Sequence, residues 1–201
     1  MIIPDIRFIP TKNRGAKITP SIIVIHYTAG GNAEGAISTF LNAGVSAHFV
    51  IGRDGAVTQM VDTDVAAWHA GVSSWKGRRE LNQWSIGIEL VNWGPLTKND
   101  NKEYISWAKT VIPENEIFRG KHKNPKCKYE YWQSYTEKQI SALRRVTSIL
   151  HKHYGILEVV GHEDVSPERK IDPGPAFLFW DCIRGKEKSD DRTTVDGVAG
   201  T

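Results

Sequence analysis

The sequence predicts a mixed α/β domain with a central mixed β-sheet flanked by helices, and three observations carry that expectation. SIIVIHYTAG, residues 21–30, is a short β-branched apolar run closed by glycine, the pattern of a buried strand. SAHFVIG and AVTQMV flank the turn Arg53-Asp54-Gly55-Ala56, whose Asp-Gly pair signals an antiparallel hairpin. TEKQISALRRVTSILHKHYG has the apolar spacing of a helix and leads into a further short strand, VVGHE. Strands and helices alternate without strict βαβ repeats, and the hairpin is antiparallel, so the sheet is expected to contain both strand senses.

Taken in order, the first strand delivers His26 near its C-terminal end, and a helix is expected over Ala33 to Leu41. After the hairpin, WSIGIELVN reads as a strand with Ile86, Ile88 and Leu90 on one face and Glu89 on the other. Residues 94–134 are rich in Lys, Asn, Pro and aromatics without a sustained period. They read as an irregular insertion with one helix near Tyr104 to Thr110. In the long helix, Thr136 and Gln139 can form a capping box, Ile140, Leu143, Ile149 and Leu150 make an apolar face, and Gly155 ends it. PAFLFWDCIRG reads as a last amphipathic helix, with Pro175 in its first turn and Gly185 beyond its end. From Lys186 onward the chain lacks the apolar content to order itself. The domain is therefore expected over 1–185 and a disordered tail over 186–201.

A length of 201 residues suits one domain, and 40% hydrophobic with 24% charged residues is an ordinary globular composition. Mean hydropathy of -0.38 leaves no room for a membrane-spanning run. The opening MIIPDIRFIPTKNRG places Asp5 and Arg7 among its apolar residues and never makes the apolar stretch of a secretory signal. Synthesis in the cytoplasm is expected. Cys127 and Cys182 lie far apart without metal-type spacing and read as free thiols. The net charge of +3 suits an anionic partner, yet the lysines form no aromatic-interleaved basic stripe, which argues against nucleic acid. A monomer is expected.

The chemistry concentrates in GHEDVSPERKIDPGP, residues 161–175, too polar for a core strand and too interrupted for a helix. Proline restricts the residue before it, so Asp172 is expected to be held extended by Pro173. Two imidazoles at strand ends, His26 and His162, with one carboxylate and a position left for water are the ligand set of a catalytic zinc site. A histidine in a strand is also an ordinary satisfied core residue, and the His162 to Asp172 spacing matches no short metal motif. Spacing alone leaves both readings open.

Several blocks taken together decide between them. HYTAG at His26, SAHFVI at His48, DGAVTQMV, AWHAGVSSWKGR at His69, NQWSIGIELVN at Glu89 and GHEDVSPERKIDPGPAFLFW occur in one order over most of residues 21–180. In that order they resemble the type 2 N-acetylmuramoyl-L-alanine amidases, the AmpD-like family, which shares its fold with peptidoglycan recognition proteins. The resemblance implies a zinc hydrolase cutting the amide between the lactyl group of N-acetylmuramic acid and L-alanine of the stem peptide. It implies His26, His162 and Asp172 as zinc ligands and Glu89 and Lys170 as the catalytic pair.

Zinc at an open site acidifies a water to a pKa of about 7 and polarises the carbonyl. Glu89 is then expected to move the proton to the leaving amine, and Lys170 to hold the oxyanion. His48 and His69 stay outside the ligand set, since a third histidine would crowd it. His69 and Trp68 are read as substrate contacts and His48 as structural. Asp172 stands where small phage lysozymes of the superfamily have cysteine. The basic balance and the long 94–134 segment favour a wall-lytic enzyme of endolysin or autolysin type, released by a holin or another non-signal route. The alternatives are a cytoplasmic amidase recycling 1,6-anhydromuropeptides and a non-catalytic peptidoglycan-binding module.

Overall fold

The computed structural model describes residues 1–155 and 158–183. Its centre is a six-stranded sheet in the order Arg7–Phe8, Val57–Gln59, Phe49–Ile51, Ser85–Leu90, Ile22–Tyr27, Glu158–Gly161. The hairpin around Asp54-Gly55 is antiparallel and the other neighbours are parallel, so the sheet is mixed as expected.

Side-chain alternation sorts the two central strands. Ile23, Ile25, Ile86, Ile88 and Leu90 join one core with Ile140, Leu143, Val146 and Leu150 of the long helix Glu137–Tyr154. Each such buried aliphatic side chain contributes about 1.5–3 kcal/mol. Ile22, Val24 and Val160 pack into a separate core on the opposite face. The same parity puts His26, Glu89 and His162 on that opposite face, and His26 and Glu89 are register partners in adjacent parallel strands.

The helix termini follow the sequence reading. Helix Ala33–Asn42 is capped by the Asn32 side chain, which accepts from the Gly35 N–H at 2.7 Å. The long helix has its capping box: Thr136 Oγ1 accepts from the Gln139 N–H, and Gln139 Oε1 accepts from the Thr136 N–H, both at 3.1 Å. Gly155 follows its last turn at φ 83°, a conformation that glycine adopts without strain.

Two expectations are corrected. The segment read as irregular with a helix at Tyr104 to Thr110 holds a five-stranded antiparallel sheet. Its order is Val111–Ile112, Tyr104–Ile105, Pro95–Lys98, Tyr131–Gln133, Ile117–Arg119. Strands this short show too little alternation to be read. A tight turn with Lys109 at φ 65° joins the first two of them where the helix was expected. The Lys98 ammonium lies 4.7 Å from the Tyr104 ring centroid and 5.4 Å from that of Tyr131, tying neighbouring strands together. The sheet is anchored by Trp132, buried in the main core. It also grips the segment after His162: His122 bonds Glu163, and the Asn124 amide donates to the Pro167 carbonyl at 2.8 Å.

The last helix is the second correction. Among the described residues of that segment only Trp180–Ile183 is helical. Gly174 sits at φ 75°, the Phe177 N–H closes a turn on its carbonyl at 3.1 Å, and the Phe177 ring is buried against Tyr135, Phe179 and Trp180. Aromatic burial overrides the helical pattern there. Gly185 and the expected tail 186–201 lie outside the described residues. Among the described residues no helix is long and apolar enough to cross a membrane, and Cys127 and Cys182 are free.

Candidate metal centre and active site

His26 is the penultimate residue of its strand, and His162 begins the short helical turn that follows Glu158–Gly161. The chain then loops out and returns with Asp172, whose carbonyl accepts from the Glu163 N–H at 2.8 Å. The Tyr135 hydroxyl donates to the Pro173 carbonyl at 2.8 Å and steadies the return. As a result three buried atoms converge. His26 Nδ1 lies 2.9 Å from His162 Nδ1, and Asp172 Oδ2 lies 3.0 Å from each of them.

Proton placement shows what this triangle can hold. His162 Nε2 is 3.1 Å from the Ala70 carbonyl, which can only accept, while the Arg169 guanidinium lies farther from it at 3.5 Å and donates to that same carbonyl at 2.8 Å; the nearer contact puts the proton on Nε2 and leaves Nδ1 a lone pair. A longer chain treats His26 the same way. Ser85 Oγ donates to the Leu81 carbonyl at 2.6 Å, so it can only accept from His69 Nε2 at 3.4 Å. That leaves His69 Nδ1 as an acceptor for the His26 Nε2–H at 3.0 Å, and His26 Nδ1 as a second lone pair. Two lone pairs and a carboxylate oxygen thus meet with no proton between them. Such a donor set fits a divalent cation, and its two nitrogens and one oxygen suit zinc with a fourth position open.

The electrostatics agree. Burial, reinforced by the neighbouring His162, lowers His26 to about 4, so it stays neutral and ready to ligate. On the same face, Glu89 is pushed up to about 8 by burial, helped by the Asp172 charge and opposed by Lys170. Its Oε2 is buried and has no hydrogen-bond partner among the described residues. The Lys170 charge acts on both Glu89 and His26, so it lies within electrostatic reach of this centre.

Residues 16–175 match the family model described as N-acetylmuramoyl-L-alanine amidase. The chain belongs to that amidase family. Two curated relatives show its company. One is 1,6-anhydro-N-acetylmuramyl-L-alanine amidase AmpD of Citrobacter freundii, 34% identical over 75% of this chain and 62% of its own length. The other is N-acetylmuramoyl-L-alanine amidase AmiD of Escherichia coli, 31% identical over 78% of this chain and 49% of its own length. The chain thus spans about half to three-fifths of these relatives. Among solved structures, Escherichia coli AmiD in complex with anhydro-N-acetylmuramic acid-L-Ala-D-γ-Glu-L-Lys superposes with a TM-score of 0.62. It is 30% identical, over 83% of this chain and 57% of that one.

In this amidase-family chain the remaining sequence candidates fall in distinct places. His69, read as a substrate contact, has Nδ1 against the Nε2 of His26, the nitrogen of that ring turned away from the triangle, and its ring lies against Gly87. A Cβ at Gly87 would come within 2.4 Å of that ring, so the strand needs glycine there. Trp68 is 40% exposed and lines a separate cleft of about 670 Å³ with Gly15, Lys17, Val72 and Arg79, to which none of the ligands nor Glu89 nor Lys170 contributes. His48 is fully enclosed, accepting from the Gly87 N–H at 3.0 Å and donating to the Val65 carbonyl at 2.9 Å.

Sequence reasoning missed Ala70, Ser85 and the buried His122–Glu163 pair. A glycine alternating with Ser85 and Glu89 on the strand face was the available signal for His69 and Ser85. Nothing local pointed to His122.

Proposed function

We propose that the protein is a zinc-dependent N-acetylmuramoyl-L-alanine amidase, hydrolysing the amide between the lactyl group of N-acetylmuramic acid and L-alanine of a stem peptide. One observation carries this reading: a proton-free triangle of donors sits on the same sheet face as a buried, unpartnered carboxyl oxygen of Glu89. His26, His162 and Asp172 would hold the zinc. Bound there, zinc supplies Lewis acidity toward the amide carbonyl and acidifies water to near neutrality.

The chain's own residues account for the rest. Glu89 takes the proton of the attacking water and passes it to the leaving nitrogen, which departs poorly as an anion. Its burial raises its proton affinity, which suits a group that must both accept and donate. Lys170 stabilises the charge that develops on the carbonyl oxygen. His69 and Ser85 hold His26 in the ligating tautomer.

Two settings fit this chemistry, and each has its own support. The AmpD relatives are named for 1,6-anhydro compounds, which favours released muropeptides and a recycling role. The mildly basic charge and the long segment 94–134, which folds as a second sheet, favour the wall-lytic setting, with intact peptidoglycan as substrate. A digest comparison tests the reading: zinc-loaded protein is given intact sacculi or purified 1,6-anhydromuropeptide, and released stem peptides are weighed by mass spectrometry. Release from sacculi identifies a lytic enzyme, release from the anhydro compound alone a recycling one. Silence in both contradicts the amidase reading and favours a binding module.

A further inference from the structure

Two tryptophans that the hydrolytic scheme does not use stand against the loop that leaves the His26 strand. Trp107 occupies the turn at the tip of the hairpin Tyr104–Ile105 and Val111–Ile112. Its side chain is 71% exposed, yet it is not free to swing, because Nε1–H donates to the Ala29 carbonyl at 2.8 Å. Ala29, at φ 51°, lies in the loop leaving the His26 strand. Trp93 lies in the loop leaving the Glu89 strand, with its ring so close over Gly31 that a Cβ there would approach within 2.8 Å. The two indoles meet edge to face at 6.0 Å and 72°.

Both loops leave the C-terminal ends of adjacent parallel strands, the edge at which open sheets place their ligands. An indole that is exposed, hydrogen-bonded at its nitrogen and braced by a second indole offers a fixed apolar face without ordering cost on binding. Among the described residues no lysine or arginine stacks on either ring, so the ledge offers aromatic surface and no charge. A neutral sugar, with one flat C–H face and a wet polar rim, suits it better than a stem peptide carrying carboxylates.

We propose that Trp107 and Trp93 form a stacking ledge for an N-acetylated hexosamine of the glycan strand, beside the centre that cuts the peptide from it. The five-stranded sheet then acts as a specificity element, extending the site along the sugar chain. The identity of the ligand rests on the amidase reading; the ledge itself can be tested without turnover.

The test is binding of peptide-free N-acetylglucosamine oligomers to the zinc-loaded full chain, followed by calorimetry and by NMR of the indole N–H signals. The wild type is expected to bind and to shift the Trp107 signal. Trp107→Ala should weaken binding by about tenfold, the upper range for one aromatic contact, while Trp107→Tyr keeps most of it. Absence of binding by the wild type, or equal affinity in Trp107→Ala, overturns the proposal. So does a Trp107 shift produced by the tripeptide L-Ala-D-γ-Glu-L-Lys and not by the sugar. A second arm compares substrates: Trp107→Ala should raise KM for glycan-bearing peptides by more than for a single muramoyl peptide, and an equal change in both contradicts it. Sugar binding without cleavage of either substrate would sink the amidase reading and leave the ledge standing.

Discussion

Replacing His69 by alanine removes the only acceptor among the described residues for the His26 Nε2–H, a contact of 3.0 Å. The imidazole is then free to take the other tautomer, which puts a proton on the ligating Nδ1. Leaving a buried donor unpaired costs about 1–3 kcal/mol, which corresponds to roughly 5- to 150-fold in zinc affinity. That range brackets the 10- to 100-fold typical of losing a partner behind a metal-binding histidine. The assay is zinc affinity by competition with a chromophoric chelator at neutral pH, with thermal unfolding of the metal-free protein alongside. His69→Asn offers an amide oxygen near the position of Nδ1 and should recover much of the affinity. Unchanged zinc binding in His69→Ala, with a folded protein, refutes the tautomer argument, as does a His69→Asn variant no better than alanine.

Glu89→Gln is expected to keep zinc and lose turnover; loss of metal would mean that Glu89 belongs among the ligands. Lys170→Ala should lower kcat on the order of a hundredfold or more with zinc content intact, and unchanged kcat would remove its oxyanion role. His48 is buried neutral, lowered to about 4 by desolvation, while the unfolded chain titrates near 6.5. Between those values the unfolded state binds the extra proton, so stability is full above about 6.5 and falls as pH drops toward 4, by about 3 kcal/mol from this group. Denaturant melts of wild type and His48→Gln across that range should differ in slope, and parallel curves would contradict the assignment. Gly87→Ala drives a methyl into the His69 ring and should weaken zinc binding together with stability, whereas wild-type zinc affinity would show that the ring can move away freely.

The two middle strands of the central sheet were legible because they are apolar runs of usable length: Ile22–Tyr27 and Ser85–Leu90 each show alternation long enough to assign faces. The same alternation put Glu89 opposite the core, and strand parity explains why His26 and His162 join it. The long helix was readable from both termini because Thr136, Gln139 and Gly155 make specific backbone contacts. By contrast, strands of two to four residues, as at Tyr104–Ile105, carry too few side chains to show a period. Their pairing is set by partners distant in sequence, such as Tyr131 with Leu96. The hydrogen bonds behind the ligands were out of reach for a related reason. His69, Ser85 and Ala70 act through a ring nitrogen, a hydroxyl and a backbone carbonyl whose roles appear only once the loops are folded together. Phe177 likewise reads as part of a helix until the rings of Tyr135 and Trp180 are placed around it.

The measurement that reaches furthest is zinc stoichiometry by equilibrium dialysis and elemental analysis, on the wild type and on His26→Ala, His162→Ala and Asp172→Ala, each checked for folding by circular dichroism. One zinc per chain in the wild type and none in the three folded variants is the predicted result. A wild type that takes up no zinc, or Asp172→Ala and His162→Ala variants that retain it, would contradict a metal centre built from these three side chains.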